Sequence, residues 1–296
     1  MTPGTLSSQL TEDAFAAIGG KPEFRATVEA AAAQSVAHFQ HLDPSYQWIT
    51  KDIGRASICV AALTLHAMGR LTAQALTATC VDGGVYSPGR VLQVVRRCQE
   101  IGEMTVEPGA GLWTRRPIRL GAGLQRALRE RALIDFRAAL TLAPELAGAA
   151  ALADTDDGFA ASLICIAVIV SLRGDVFALQ KAGPLAFFLE REAGMLILFD
   201  LIGAQAAGRA RLLEAAALSR YGLSKRFDVS RAHINKLLAD SADLDTDGDR
   251  VVFSETLSAA MDRHFARVFK LNLCAAEALL SGWRFEPGRR RAVSPA

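Results

Sequence analysis

The chain lacks most of the features that would commit it to chemistry, to metal binding or to a membrane. Its five cysteines, Cys59, Cys80, Cys98, Cys165 and Cys274, stand singly with no Cys-x-x-Cys pair, which argues against a zinc site or a disulfide framework. No Gly-rich phosphate loop, Gly-x-Ser-x-Gly elbow or His-Glu-x-x-His pair occurs, and the five histidines do not cluster. No catalytic residue, metal ligand or cofactor site is therefore expected, and the chain reads as a non-enzyme. Charge of one sign is also scarce: the net value of +2 is weak for a protein that coats nucleic acid indiscriminately. The uncharged run over residues 160–172 falls short of the roughly 20 residues a membrane-spanning helix needs, so it is expected to be a buried helix. Near the N-terminus no basic segment leads into a hydrophobic stretch, so neither secretion nor a membrane anchor is supported and a cytoplasmic location is expected.

What is present is an ordered globular composition, 51% hydrophobic and 22% charged over 296 residues, which is more than one core usually holds. Alanine and leucine dominate between turns carrying glycine and proline, so the fold is expected to be mainly α. The most informative stretch is residues 223–238, LSKRFDVSRAHINKLL. Leu223, Phe227, Val229, Ile234, Leu237 and Leu238 recur so as to form one apolar seam between two short helices. Asp228 falls in the tight turn, where aspartate tolerates a left-handed backbone better than most residues, and Ser230 is placed to cap the second helix. Arg231, His233, Asn235 and Lys236 would then point away from the seam, with Lys225 on the helix before. Downstream, Asp247-Gly248 between two strand-like flanks predicts a hairpin carrying Arg250. Ser254 then caps a long helix on which Leu257, Met261, Phe265, Val268, Phe269 and Leu273 recur at three- and four-residue spacing.

Helix, helix, hairpin and long helix, in that order, resemble the winged helix-turn-helix of bacterial transcription regulators, and of the MarR type in particular. The resemblance covers about the last third of the chain. It implies duplex DNA as partner, with Arg and Lys on phosphates and Asn235 and His233 among the base readers.

A diverged second copy is expected upstream. Residues 71–80 would be its supporting helix, residues 81–86 its turn, and residues 87–97 its second helix, which opens on Ser87-Pro88. Val91, Val94 and Val95 would face inward, leaving Arg90, Gln93, Arg96 and Arg97 outside. Residues 104–120 would form a longer hairpin with Arg115 and Arg116 near its tip, followed by a helix from Ala122 to about Leu142. Gly69-Arg70 and Gly208-Arg209 anchor the two copies upstream. The expected architecture is thus two winged modules joined by a helical layer, with residues 1–148 and 158–296 as the two domains and the acidic stretch at residues 154–157 as their surface connection.

Local charge agrees: residues 85–137 hold ten arginines against five acids, and residues 205–240 hold seven Lys or Arg against three. Arg126, Arg129 and Arg131 are expected only to solvate a helix face. The DNA-facing set is Ser87, Arg90, Gln93, Arg96, Arg97, Arg115, Arg116, Lys225, Ser230, Arg231, His233, Asn235, Lys236 and Arg250. The expected function is sequence-specific operator occupancy, by a homodimer or by a chain that is its own pseudo-dimer. A small-molecule effector could be held near His38, His41, Tyr46 and Trp48, although such residues more often close the edge of a core. Cys98, beside Arg96 and Arg97, is the candidate for redox sensitivity. Asp243, Asp245, Asp247, Gly248 and Asp249 imitate the start of a calcium loop, but Ser254 stands where its bidentate glutamate would be. A plasmid-type replication initiator and a winged protein-interaction scaffold are the alternative readings.

Overall fold

The computed structural model describes residues 2–82, 86–173, 182–205 and 209–285. Among them the chain is mainly helical, with fifteen helices and two small antiparallel sheets. Four helices open it: α1 (Pro3–Ser7), α2 (Glu12–Gly19), α3 (Phe24–His41) and α4 (Pro44–Thr50). A first set follows, made of α5 (Ile53–Ala67), α6 (Ala73–Asp82), α7 (Pro88–Glu100), a hairpin of β1 (Met104–Val106) and β2 (Ile118–Leu120), and α8 (Ala122–Thr141). Helices α9 (Ala149–Ala153), α10 (Asp156–Leu172) and α11 (Leu185–Leu189) lead to the second set. This contains α12 (Gly194–Gly203), β3 (Ala215–Ala217), α13 (Arg220–Arg226), α14 (Arg231–Asp240), a hairpin of β4 (Leu244–Asp247) and β5 (Arg250–Phe253), and α15 (Glu255–Leu280).

The two sets share an order of elements and a sheet plan. In the second, β5 lies between β3 and β4. In the first, the segment before α6 takes the place of β3: Thr72 bridges Pro117, and the Ile118 N–H donates to the Leu71 carbonyl at 3.0 Å. The expected turn of the first set includes residues 83–85, and the upstream anchor includes Gly208; both lie outside the described residues.

Local sequence accounts for the helix starts. Thr11, Asp52, Ser87, Thr155, Ser219, Ser230 and Ser254 each accept a hydrogen bond from the backbone N–H three residues on. Each such cap satisfies a donor that the helix cannot, at about 1 kcal/mol. The hairpin at Asp247-Gly248 turns with Gly248 at φ +54°, which a side chain would resist.

One hydrophobic cluster runs from Leu6 to Leu279. Helix α3 lies between α8 and α12, and α15 packs on α2, α8 and α10. Phe39 of α3 meets Phe227 at the end of α13 with ring centroids 5.7 Å apart, while Phe24 and Phe269 join α3 to α15 at 6.1 Å. The apolar run at residues 160–172 is helix α10, buried over most of its length with Leu172 exposed at its end. The acidic stretch before it is at the surface as expected, but it is also a cap. Thr155 closes the start of α10, and Asp154 and Asp156 pair with Arg137 and Arg129 of α8. Arg131 pairs with Asp135 at 2.9 Å. None of the described helices is long and apolar enough to cross a membrane.

Candidate nucleic-acid interface

The pair α13–α14 is held by the expected seam. Leu223, Phe227, Ile234, Leu237 and Leu238 are buried, with Val229 partly so. Asp228 makes the turn at φ +48°, one of two non-glycine residues with a positive φ among the described residues. With that seam facing inward, α14 turns Arg231, Asn235 and Lys236 to solvent. Among the described residues Arg231 and Lys236 have no ion-pair or hydrogen-bond partner, nor does Arg250 at the start of β5. Ser230 spends its hydroxyl on the His233 N–H.

Arg231 and Asn235 line an open groove of about 670 Å³ whose other wall is Ser219, Arg220, Tyr221 and Asp249. A second groove of about 320 Å³ continues past Tyr221 to Lys225, Ser230 and Arg231. Tyr221 borders both and is 62% exposed, with the Lys225 ammonium 5.9 Å from its ring centroid. Arg220 donates to the Gly248 carbonyl at 2.7 Å and so fastens the hairpin turn to α13. Sequence reasoning missed Arg220 and Tyr221. The signal was available for Tyr221, which follows the Ser219 cap and falls off the Leu223–Phe227 stripe, whereas Arg220 falls on the stripe's side of the helix.

Protein-family models, curated proteins and solved structures were compared with the chain, and none matches.

In the first set, α7 buries Val91, Val94, Val95 and Cys98 and exposes Ser87, Arg90, Gln93, Arg96 and Arg97. These are the expected faces, yet the cations are not equivalent. Arg96 has no partner among the described residues, whereas Arg97 pairs with Glu100 at 3.0 Å. Arg90 gives one guanidinium nitrogen to both carboxylate oxygens of Asp52, at 2.8 and 3.1 Å. Arg115 and Arg116 are not at a free hairpin tip. They end a 3-10 turn on the return limb, where Arg115 donates to the Gln74 side chain at 3.1 Å and Arg116 to the Gly109 carbonyl at 3.0 Å.

His233 is also placed differently from the expectation. It is half-buried, and its Nε2 lies 2.9 Å from the Glu192 carbonyl, so its ring faces the loop before α12. That loop is the centre of a charged cluster that the sequence did not reveal. Arg55 Nη2 reaches the Glu192 carboxylate at 2.6 Å and stacks over Trp48 at 4.4 Å. The Lys51 ammonium donates to the Asp228 carbonyl at 2.9 Å and lies 3.7 Å from Glu192. The Lys51 carbonyl accepts from the Ala193 N–H at 2.5 Å. The start of α5, the loop before α12 and the turn before α14 are thereby clamped together. Partners 137 and 177 residues apart leave no local pattern to read.

The remaining candidates resolve into packing. His38 Nε2 faces the Ala127 carbonyl at 3.2 Å, and burial lowers its pKa. His41 is bonded to its own helix, and the Tyr46 hydroxyl donates to Glu103 at 2.5 Å, which with burial pushes its pKa up to about 12. Each of these side chains is engaged separately, as is Trp48 beneath Arg55. All five cysteines are buried free thiols. A hydrogen bond from Cys59 holds the Cys98 thiol below its usual pKa and leaves Cys59 well above it. Asp243 accepts from Ser254 and Thr256 at the start of α15, and no metal-binding group of acids, His and Cys is found among the described residues.

Proposed function

We propose that the chain is a cytoplasmic, non-catalytic transcription regulator of MarR-like, tandem winged helix-turn-helix design that occupies duplex DNA. The observation that carries this reading is the outer face of α14, where Arg231 and Lys236, without side-chain partners among the described residues, are exposed on either side of an exposed amide, Asn235. Two cations of this kind suit phosphates flanking a groove, and an amide suits the paired donor and acceptor on an adenine edge. Arg250 on the β4–β5 hairpin and Tyr221 at the groove edge extend the same surface. In the first set, Gln93 and Arg96 are exposed on the outer face of α7, with Gln93 at the position of Lys236.

The test is a fluorescence-anisotropy titration of the full chain against random and promoter duplexes at two salt concentrations. Binding is expected to weaken steeply with salt and to stay tighter for some promoter fragments. Arg231→Ala and Lys236→Ala should each flatten the salt slope by about 0.9, the value for one phosphate contact. Absence of binding at low salt would overturn the reading and favour a protein-interaction scaffold.

A further inference from the structure

Arg90 stands three residues past the Ser87 cap, in the first turn of α7. Its guanidinium reaches the carboxylate of Asp52, which caps the start of α5. We propose that Asp52 is an internal competitor that occupies Arg90 in place of a DNA phosphate, so that α7 engages duplex DNA only when Arg90 leaves Asp52. This rests on the reading of the chain as a duplex-DNA-binding protein.

Three observations support it. A carboxylate presents two oxygens and one negative charge to a guanidinium much as a phosphate does. Secondly, the exchange is cheap for the protein. Arg90 is 44% exposed and its other nitrogens make no protein hydrogen bond among the described residues, while Asp52 keeps the Arg55 N–H at 2.8 Å and the Arg55 guanidinium at 3.8 Å when Arg90 departs. Finally, the seat for Arg90 depends on a glycine. A Cβ on Gly54, in the first turn of α5, would lie 2.7 Å from Arg90 Nη2 and 3.1 Å from both Asp52 Oδ1 and the Tyr86 ring. Alanine there would displace the end of a flexible side chain rather than backbone. Glycine is otherwise a poor choice inside a helix, so its presence is accounted for by the docked guanidinium.

Two substitutions release Arg90 by different routes. Asp52→Asn removes the charge and keeps the α5 cap, since asparagine caps as well as aspartate. Gly54→Ala leaves every charge in place and fills the seat. The experiment measures affinity for one labelled random-sequence duplex at two salt concentrations, using wild type, D52N, G54A, R90A and the D52N/R90A double variant, with thermal unfolding as the check of folding. D52N and G54A should bind about two- to fivefold tighter, as expected for freeing one arginine from an exposed ion pair. Their salt slope should steepen by about 0.9. D52N/R90A should match R90A. An unchanged or weaker affinity in G54A, or a gain from D52N that persists without Arg90, would overturn the role of Asp52 while leaving DNA binding intact. If no variant binds duplex at low salt, the DNA-binding reading falls and this inference with it.

Discussion

Asp228 shows how much one residue can be asked to do. Its backbone is left-handed at φ +48°, its side chain is 89% exposed, and its carbonyl is the acceptor for Lys51. The Asp228 carboxylate lies 3.5 Å from the same ammonium, but an ion pair that exposed adds little, and a glycine would keep the carbonyl grip without the steric cost of a Cβ in this region. Asp228→Gly is expected to raise stability by about 0.5 kcal/mol, measured by denaturant unfolding. Asp228→Val should lower it by more than 1 kcal/mol, roughly the cost of a left-handed backbone for an L-residue. The turn was legible in the sequence because aspartate between two apolar half-turns is a local signal. Its attachment to Lys51 was not, because nothing near residue 228 encodes a partner 177 positions away. The same division explains His233 and Arg90. Helical spacing placed both on the outer face, and long-range partners then turned one toward Glu192 and the other toward Asp52.

Among the elements, the junction of the first hairpin with α8 carries an uncommon cap. Gly121 offers no side chain to the start of α8, and Glu103, just before β1, supplies the missing acceptor by taking the Leu124 N–H at 2.8 Å. Its other oxygen receives the Tyr46 hydroxyl, so α4, the hairpin and α8 share one carboxylate. The space is small: a Cβ on Gly123 would stand 1.9 Å from Tyr46 Oη and 2.6 Å from Glu103 Oε1. Gly123→Ala should therefore destabilise the protein by about 1–3 kcal/mol, the usual cost of overpacking, despite alanine's better helix propensity. Thermal unfolding of the variant checks this. The limits of α8 could be read from the chain to within a residue, because its leucines and arginines keep a helical period. The Glu103 cap could not, since nothing near residue 103 encodes a partner amide 21 positions away across the hairpin.

For the molecule as a whole, acid should act through half-buried imidazoles. His264 on α15 packs beside Phe265, and burial holds its pKa down to about 4, with Arg131 and Arg267 lowering it and Asp135 raising it. A folded-state value below the ordinary 6.5 means that the unfolded chain binds the proton first. This contribution to stability is full above about pH 6.5 and is lost as pH falls toward 4, by roughly 1.4 kcal/mol per pH unit. His264→Gln should flatten the stability profile in that window and leave the part due to His38, whose pKa burial also lowers. The shared order of elements in the two sets was readable because each carries its own caps and apolar period. The layer between them was foreseen only as buried helices. A fastening between distant parts of the chain was not foreseen: from α15 of the second set, Arg267 pairs with Glu12 at 2.9 Å, Lys270 donates to Gln9 at 3.0 Å, and the Cys274 thiol faces the Leu6 carbonyl. More than 250 residues separate the two sides of this fastening, so α1 and α2 are made long before their partner. Until α15 is made, α2 lacks the helix that covers it, so apolar surface stays exposed while the intervening residues are synthesised, and chaperone demand should follow the completion of α15.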